Sequence, residues 1–175
     1  NIVLLPKVPM TPRFADRRVG FFTTPHIYFN DKQQAVETRD FVHRWRLEPK
    51  PEDIEKYKRG ELVEPAKPIV FYIDPATPAQ WREEIKAGVF DWQEAFEAAG
   101  FKNAVVAKDA PTDDPDFDID DARYSVITYA ASQQANAMGP SVVDPRSGEI
   151  IEADVVWWHN VMTMLHTWMR VQTGP

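Results

Sequence analysis

Four histidines, at positions 26, 43, 159 and 166, are the side chains best suited to bind a metal or move a proton in this sequence. A zinc site on one helix needs two His at i and i+4, on one face and one turn apart. His159 and His166 are seven residues apart, roughly 10 Å by helical rise alone, and one ion cannot bridge that unaided. His26 and His43 fall in separate proline-bounded segments and read as core or surface histidines. The 175 residues contain no Cys, which removes thiolate metal sites, disulfides and a cysteine nucleophile. No zinc is therefore expected on this chain alone. Nucleophile and phosphate motifs are missing too: there is no Gly-x-Ser-x-Gly, no Gly-rich phosphate loop and no dinucleotide fingerprint. Ser141 and Ser147 have no base beside them in sequence. The remaining candidate is an acidic stretch with seven aspartates between positions 109 and 121 and no Lys or Arg. Asp116, Asp118 and Asp120 alternate like the start of an EF-hand loop. The sixth position is then Asp121 rather than Gly, and the twelfth is Ile127 rather than Glu. The stretch reads first as a solvated loop, in which Asp120 or Asp121 caps a turn, with a calcium site as the alternative.

Composition narrows the classes further. Lys and Arg number 20 against 27 Asp and Glu, for a net charge of −7, which argues against a nucleic-acid partner. Hydrophobic residues make up 43% of the chain, enough for a real core. No apolar run reaches the ~18–20 residues a membrane span needs. Asn1-Ile2-Val3-Leu4-Leu5 has no initiator Met and no charged lead into an apolar stretch, and the last residues follow an amphipathic run without a closing element. Both ends are expected to be boundaries inside a longer protein.

Hydrophobic periodicity then supplies the elements. Eight of the fifteen prolines fall in the first 68 residues, so this region is expected to be extended and loop-broken. Strands are expected at 19–23, 26–29 and 41–47, the last with Phe41, His43, Trp45 and Leu47 on one face. Residues 48–67 read as a charged connecting loop with at most a short helix near 54–58. From Pro68 strand and helix alternate. Residues 69–73 read as a strand buried on both faces. Thr77, Pro78 and Gln80 then form a helix start with a capping box. Trp81, Ile85, Val89, Trp92 and Phe96 follow at helical spacing, and Gly100 closes the helix. That pattern predicts one helix over 78–99, with Trp81, Trp92 and Phe96 in the core. A strand at 104–107 follows, and the strand–helix–strand unit it completes with 69–73 implies a parallel pair with a right-handed crossover; a third strand is expected at 124–130. Extended runs at 136–143 and 149–157 flank the turn Asp144-Pro145-Arg146-Ser147-Gly148 and form a hairpin. A last helix over 160–172 puts Val161, Met164, Leu165 and Trp168 on one face.

Several longer words carry a family resemblance. They include Pro68-Ile69-Val70-Phe71-Tyr72-Ile73-Asp74-Pro75, Asp121-Ala122-Arg123-Tyr124-Ser125, Asn136-Ala137-Met138-Gly139-Pro140 and Val143-Asp144-Pro145-Arg146-Ser147-Gly148-Glu149-Ile150. Residues 9–20, Arg44-Trp45-Arg46-Leu47 and Glu64-Pro65 match a lead-in and connecting arm. Together they resemble the N-terminal part of the catalytic domain in a family of large bacterial zinc-dependent metallopeptidases related to the metzincins. The resemblance implies an α+β fold: a twisted mixed sheet with an antiparallel edge strand, one long helix packed on it, and an extended Pro-rich N-terminal arm. It divides the chain into an arm and connector at 1–67 and the start of the peptidase domain at 68–175. The strand order it implies is a strand, a long helix, two strands, an antiparallel edge strand over 136–143 and a further strand over 150–157. A His-Glu-x-x-His helix follows in such domains, its Glu activating zinc-bound water. That motif does not occur in these residues, and the resemblance places it beyond Pro175.

By the resemblance, Asn136, Ala137, Met138, Gly139 and Pro140 bind substrate, a peptide or protein in extended form pairing along the sheet edge. No catalytic or metal-ligating residue is assigned in this chain. The expected activity is peptide-bond hydrolysis by a longer, zinc-loaded protein, secreted or in the bacterial envelope, with this piece inactive alone. The alternative is a protein-binding or scaffold module that uses the same edge without hydrolysis. Exposed apolar surface on an incomplete domain makes self-association a further expectation.

Overall fold

The longest apolar run, at 69–73, becomes an interior strand of the main sheet, paired on both sides. The computed structural model describes residues 2–174 and has an α+β architecture with mixed sheets. Contacts divide the chain into two compact units: residues up to Arg46 together with Ser141–Glu152, and Leu47–Pro140 together with Ala153 onward. The sequence suggested a division at 67/68. By contacts, residues 48–67 belong to the unit of the main sheet, and the tip of the later hairpin to the unit of the N-terminal residues.

In the first unit, β1 (Thr23–Tyr28) and β2 (Glu37–Val42) pair antiparallel, with His26 opposite Arg39. The segment expected as a strand over 41–47 therefore starts earlier and ends at Val42, after which only Arg44 keeps a single bridge, to Glu149. The Arg39 guanidinium lies 3.7 Å from the Tyr28 ring centroid, and Phe14 packs against Phe41. Residues 2–13 form no strand but run as a largely exposed arm in which Met10 is buried. The same unit holds the hairpin tip, where β7 (Ser141–Asp144) pairs with β8 (Glu149–Ala153).

The second unit begins with a short 3-10 turn, Pro51–Asp53, and helix α1 (Ile54–Lys58). Single bridges Pro49–Pro65 and Val63–Phe101 pin this connector down, and Val63, Phe101 and Ala104 form a buried cluster against which Leu47 and Phe96 pack. Next come β3 (Ile69–Ile73), α2 (Ala79–Phe90), α3 (Gln93–Ala98), β4 (Val105–Asp109) and β5 (Ser125–Ala130), then β6 (Ala137–Met138), β9 (Val155–Trp158) and α4 (Val161–Thr173). The five-stranded sheet runs in the order β4-β3-β5-β9-β6. Its first four strands are parallel neighbours, and β6 is antiparallel at the edge.

The single long helix expected over 78–99 is a pair. The ladder tightens at Asp91 and Trp92, where Trp92 N–H bonds back only three residues to Val89, and α3 then starts afresh. This turns Trp92 out to 65% exposure, so Trp92 is not a core residue, while Phe96 is packed as expected. The capping box is also absent. Pro78 occupies the N-cap position with a non-helical ψ of 137°, and Thr77 is buried without capping the helix. Arg82 donates back to the carbonyls of Thr77 and Pro75, which ties the loop ahead of the helix without capping it. The other end follows the glycine signal: Gly100 has φ +93°, and Phe101 N–H reaches back to Phe96 O, the bonding of a Schellman stop. Helix α4 buries only Val161 and leaves Trp168, Met169 and Val171 exposed.

Candidate functional site: the open sheet edge

All five residues singled out in sequence lie in succession along the outer edge of the main sheet. In β6, Ala137 stands opposite Trp157 and Met138 opposite Val156. Trp158 N–H donates to Asn136 O at 3.4 Å, and Asp154 N–H donates to Pro140 O at 3.0 Å. Residues 136, 138 and 140 thus turn their main-chain groups toward β9. In an antiparallel ladder the intervening residues turn theirs away, which sets Ala137 C=O and both main-chain groups of Gly139 on the open side. Ala137 N–H is occupied by its neighbour, accepted by Asn136 Oδ1 at 2.8 Å. Asn136, Met138, Gly139 and Pro140 are exposed and Ala137 is half-buried.

Polar side chains inside the sheet hold this edge. Asp154 Oδ1 accepts the buried Val126 N–H at 2.8 Å, so one residue braces both Pro140 and β5. Ser125 Oγ accepts Ala153 N–H at 3.1 Å. The loop between β5 and β6 is tied by Asn160 Nδ2, which donates to Gln133 O at 2.9 Å. The edge expected as one strand over 136–143 is interrupted. Pro140 has no N–H to give and Asp154 turns its side chain to β5, so 137–138 stay in the main sheet while 141–144 form a separate ladder with β8. The strand expected over 150–157 breaks at the same place, into β8 and β9.

The histidines are dispersed. His26 Nδ1 meets Thr24 O at 3.2 Å and its ring lies over Phe41, while His43 Nε2 shares a 2.7 Å hydrogen bond with Thr24 Oγ1. Burial holds the His43 imidazole below its usual value. His159 lies outside α4 and shares a hydrogen bond with Tyr129 OH; His166 is exposed on α4. Among the described residues no three His, Cys, Asp or Glu side chains come together as a metal site.

The aspartate loop is shaped by its own carboxylates. Asp114, Asp118 and Asp121 each accept the N–H two residues on, at 3.0, 2.9 and 2.9 Å, which are Asx turns. Asp121 caps the approach to β5, as one reading of the sequence had it. Its hydrogen bonds with Arg123 hold its carboxyl below the usual carboxylate range. Tyr124 OH reaches Asp114, and the Tyr72 ring meets Phe117 and Tyr124 edge to face while those two rings pack tilted against each other.

One polar constellation escaped the sequence reading. In the first unit Asp144 is fully buried and gripped by Arg146 through both carboxylate oxygens, at 2.9 and 2.7 Å. This keeps the Asp144 carboxyl below its usual range. Arg46 meets Glu149 at 2.6 Å. Arg146, Arg46 and Arg44 then donate to the arm carbonyls of Pro6, Val8 and Thr11. The available signal was the proline spacing at 6, 9 and 12. An extended segment so poor in N–H groups must find donors for its carbonyls elsewhere.

Comparison with known proteins adds one match. A family model described as a domain of unknown function (DUF5117) matches residues 1–50, which include the arm, the β1–β2 pair and the two arginines Arg44 and Arg46. No curated protein and no solved structure matches the chain. No helix among the described residues is long and apolar enough to cross a membrane.

Proposed function

We propose that this chain supplies the substrate-holding sheet of a zinc-dependent metallopeptidase related to the metzincins, and that β6 is the strand along which an extended peptide pairs. The observation that carries this reading is an antiparallel edge strand on an otherwise parallel sheet, with Gly139 N–H and C=O on its open side. Such an edge takes a peptide strand by main-chain hydrogen bonds. The sequence words that resemble the metallopeptidase family, and the strand order it implies, support the catalytic context. On this reading zinc and the general base come from a His-Glu-x-x-His helix outside these residues, the working protein is secreted or held in the bacterial envelope, and this chain alone does not hydrolyse peptides. A non-catalytic binding module would use the same edge and differ only in lacking hydrolysis.

Two substitutions at one position test the pairing. A Cβ at Gly139 would meet only Asp154 O, at 3.5 Å, an ordinary contact, so Gly139→Ala should bind a fluorescently labelled extended peptide as the parent chain does. Gly139→Pro removes the outward N–H and should weaken binding at least tenfold, about one charge-free hydrogen bond together with ring crowding. Equal binding by all three chains in an anisotropy titration would refute β6 as the binding strand. Once binding is established, a longer protein carrying the zinc helix separates the two readings by cleaving the bound peptide or leaving it intact.

A further inference from the structure

An extended arm without a ladder partner leaves its carbonyls to water or to side-chain donors. Here three arginines take them. Arg146 Nη2 donates to Pro6 O at 2.7 Å, Arg46 Nη2 donates to Val8 O at 2.9 Å, and Arg44 Nη2 donates to Thr11 O. Two of these arginines are aimed by carboxylates of the β7–β8 tip, Asp144 and Glu149. The backbone of the third is bonded into that tip as well, since Arg44 N–H donates to Gly148 O at 3.0 Å and Ile150 N–H donates to Arg44 O at 2.9 Å. Among the described arm residues before Arg13, Met10 is the one that is buried, at 6% exposure. Arm and hairpin tip are therefore one assembly. Asp144 and Glu149 need their arginines, because a buried carboxylate stripped of its partner is strongly destabilising.

The two strands of that tip continue directly into the edge pair. β7 follows β6 after Gly139 and Pro140, and β9 follows β8 after Asp154. A two-residue strand such as β6 is too short to hold its own register. Its order depends on what fixes the chain on either side of it. We propose that the N-terminal arm is a strap controlling the order of the edge strand. With the arginines on Pro6, Val8 and Thr11, the tip is fixed and the Pro140–Asp154 bond keeps β6 in register. With the arm released, the tip loosens and β6 frays from β9. The strap would give residues 1–50 a regulatory part in presenting the substrate strand. That consequence rests on the proposed function, but the coupling itself does not.

Amide hydrogen exchange on the intact chain reads the coupling directly. Met10→Ala removes the buried side chain of the arm and leaves all three arginines in place. Arg146→Lys keeps a cation for Asp144 but loses the fork that also reaches Pro6. Both should raise exchange at least tenfold at Met138, Asp154 and Trp158, while Val70 and Val106, in the two strands farthest from β6, keep parental rates. Faster exchange in the arm and the tip with parental rates at Met138, Asp154 and Trp158 would overturn the proposal. So would uniform acceleration in both variants, Val70 and Val106 included, since the arm would then support the whole chain rather than the edge. A chain that shows the coupling but binds no peptide would leave the strap standing and refute the edge as a substrate site.

Discussion

Gly148→Ala is the sharpest single test of how the hairpin tip is built. Gly148 sits at φ +74°, and a Cβ there would overlap the Val42 carbonyl oxygen, with the carbonyl carbon at 3.0 Å. The left-handed conformation alone costs an Ala about 1–2 kcal/mol. Relieving the overlap must move backbone rather than a pliable side chain. That displacement strains the Arg44–Gly148 and Arg44–Ile150 hydrogen bonds, each worth about 1 kcal/mol. The expected destabilisation of this unit is therefore about 3–4 kcal/mol, a fall in melting temperature of about 6–16 °C at this chain length. Differential scanning calorimetry gives the shift, and amide exchange at Arg44 and Ile150 locates it. Gly88→Ala is the control with opposite sign. It lies within α2 with nothing in reach of a Cβ, so the substitution should stabilise by about 0.5–1 kcal/mol. A Gly148→Ala shift under 2 °C, or exchange unchanged at Arg44, would refute this account of the tip.

Three further outcomes are expected. Asp154→Ala leaves the buried Val126 N–H without its acceptor and should cost about 1–3 kcal/mol, whereas Asp154→Asn keeps an acceptor and should cost less; equal losses in urea melts would contradict the bracing role. Burial lowers His43 below 6.5, so the folded chain resists a proton that the unfolded chain accepts. The His43 contribution is intact above that pH and shrinks as pH falls through the folded value. Melting temperature should thus drop between about pH 7 and pH 5, and His43→Gln should flatten that slope. The Asp144 contribution, with its carboxyl held below 3.8 by Arg146, is lost only at lower pH, as the folded carboxyl is protonated. Finally, the chain equilibrated with zinc and desalted should carry no stoichiometric metal, and calcium should leave its melting temperature unchanged, because Asp114, Asp118 and Asp121 already serve as turn acceptors. One zinc per chain, or a clear calcium-dependent rise, would contradict these site descriptions.

Where one local signal decided the outcome, the sequence was easy to read. The apolar run at 69–73 is β3 to the residue, the charged connector holds its short helix at 54–58, and Gly100 ends the helical region in the left-handed conformation. The break at Asp91 was hidden because a tightened turn keeps apolar residues near helical spacing on both sides. The split of the long hairpin was hidden because both halves alternate correctly as strands. Only the missing N–H of Pro140 and the brace from Asp154 to Val126 separate the two ladders. The five edge residues came from a resemblance rather than from periodicity, since a two-residue strand has too little pattern to declare itself. The arginine clamp was invisible for a different reason. Its partners lie up to 140 residues apart, and Asp144-Pro145-Arg146-Ser147-Gly148 has the composition of any surface turn.

The central claim is that β6 presents its outer edge to an extended peptide. Isotope-edited NMR on labelled chain with an unlabelled extended peptide tests it most directly. The account predicts saturable shifts centred on Ala137 and Gly139, with cross-strand contacts from the peptide backbone to Gly139, and loss of both in Gly139→Pro. Contacts confined to α4 or to the β1–β2 pair, with the Gly139 amide unmoved at saturation, would contradict it.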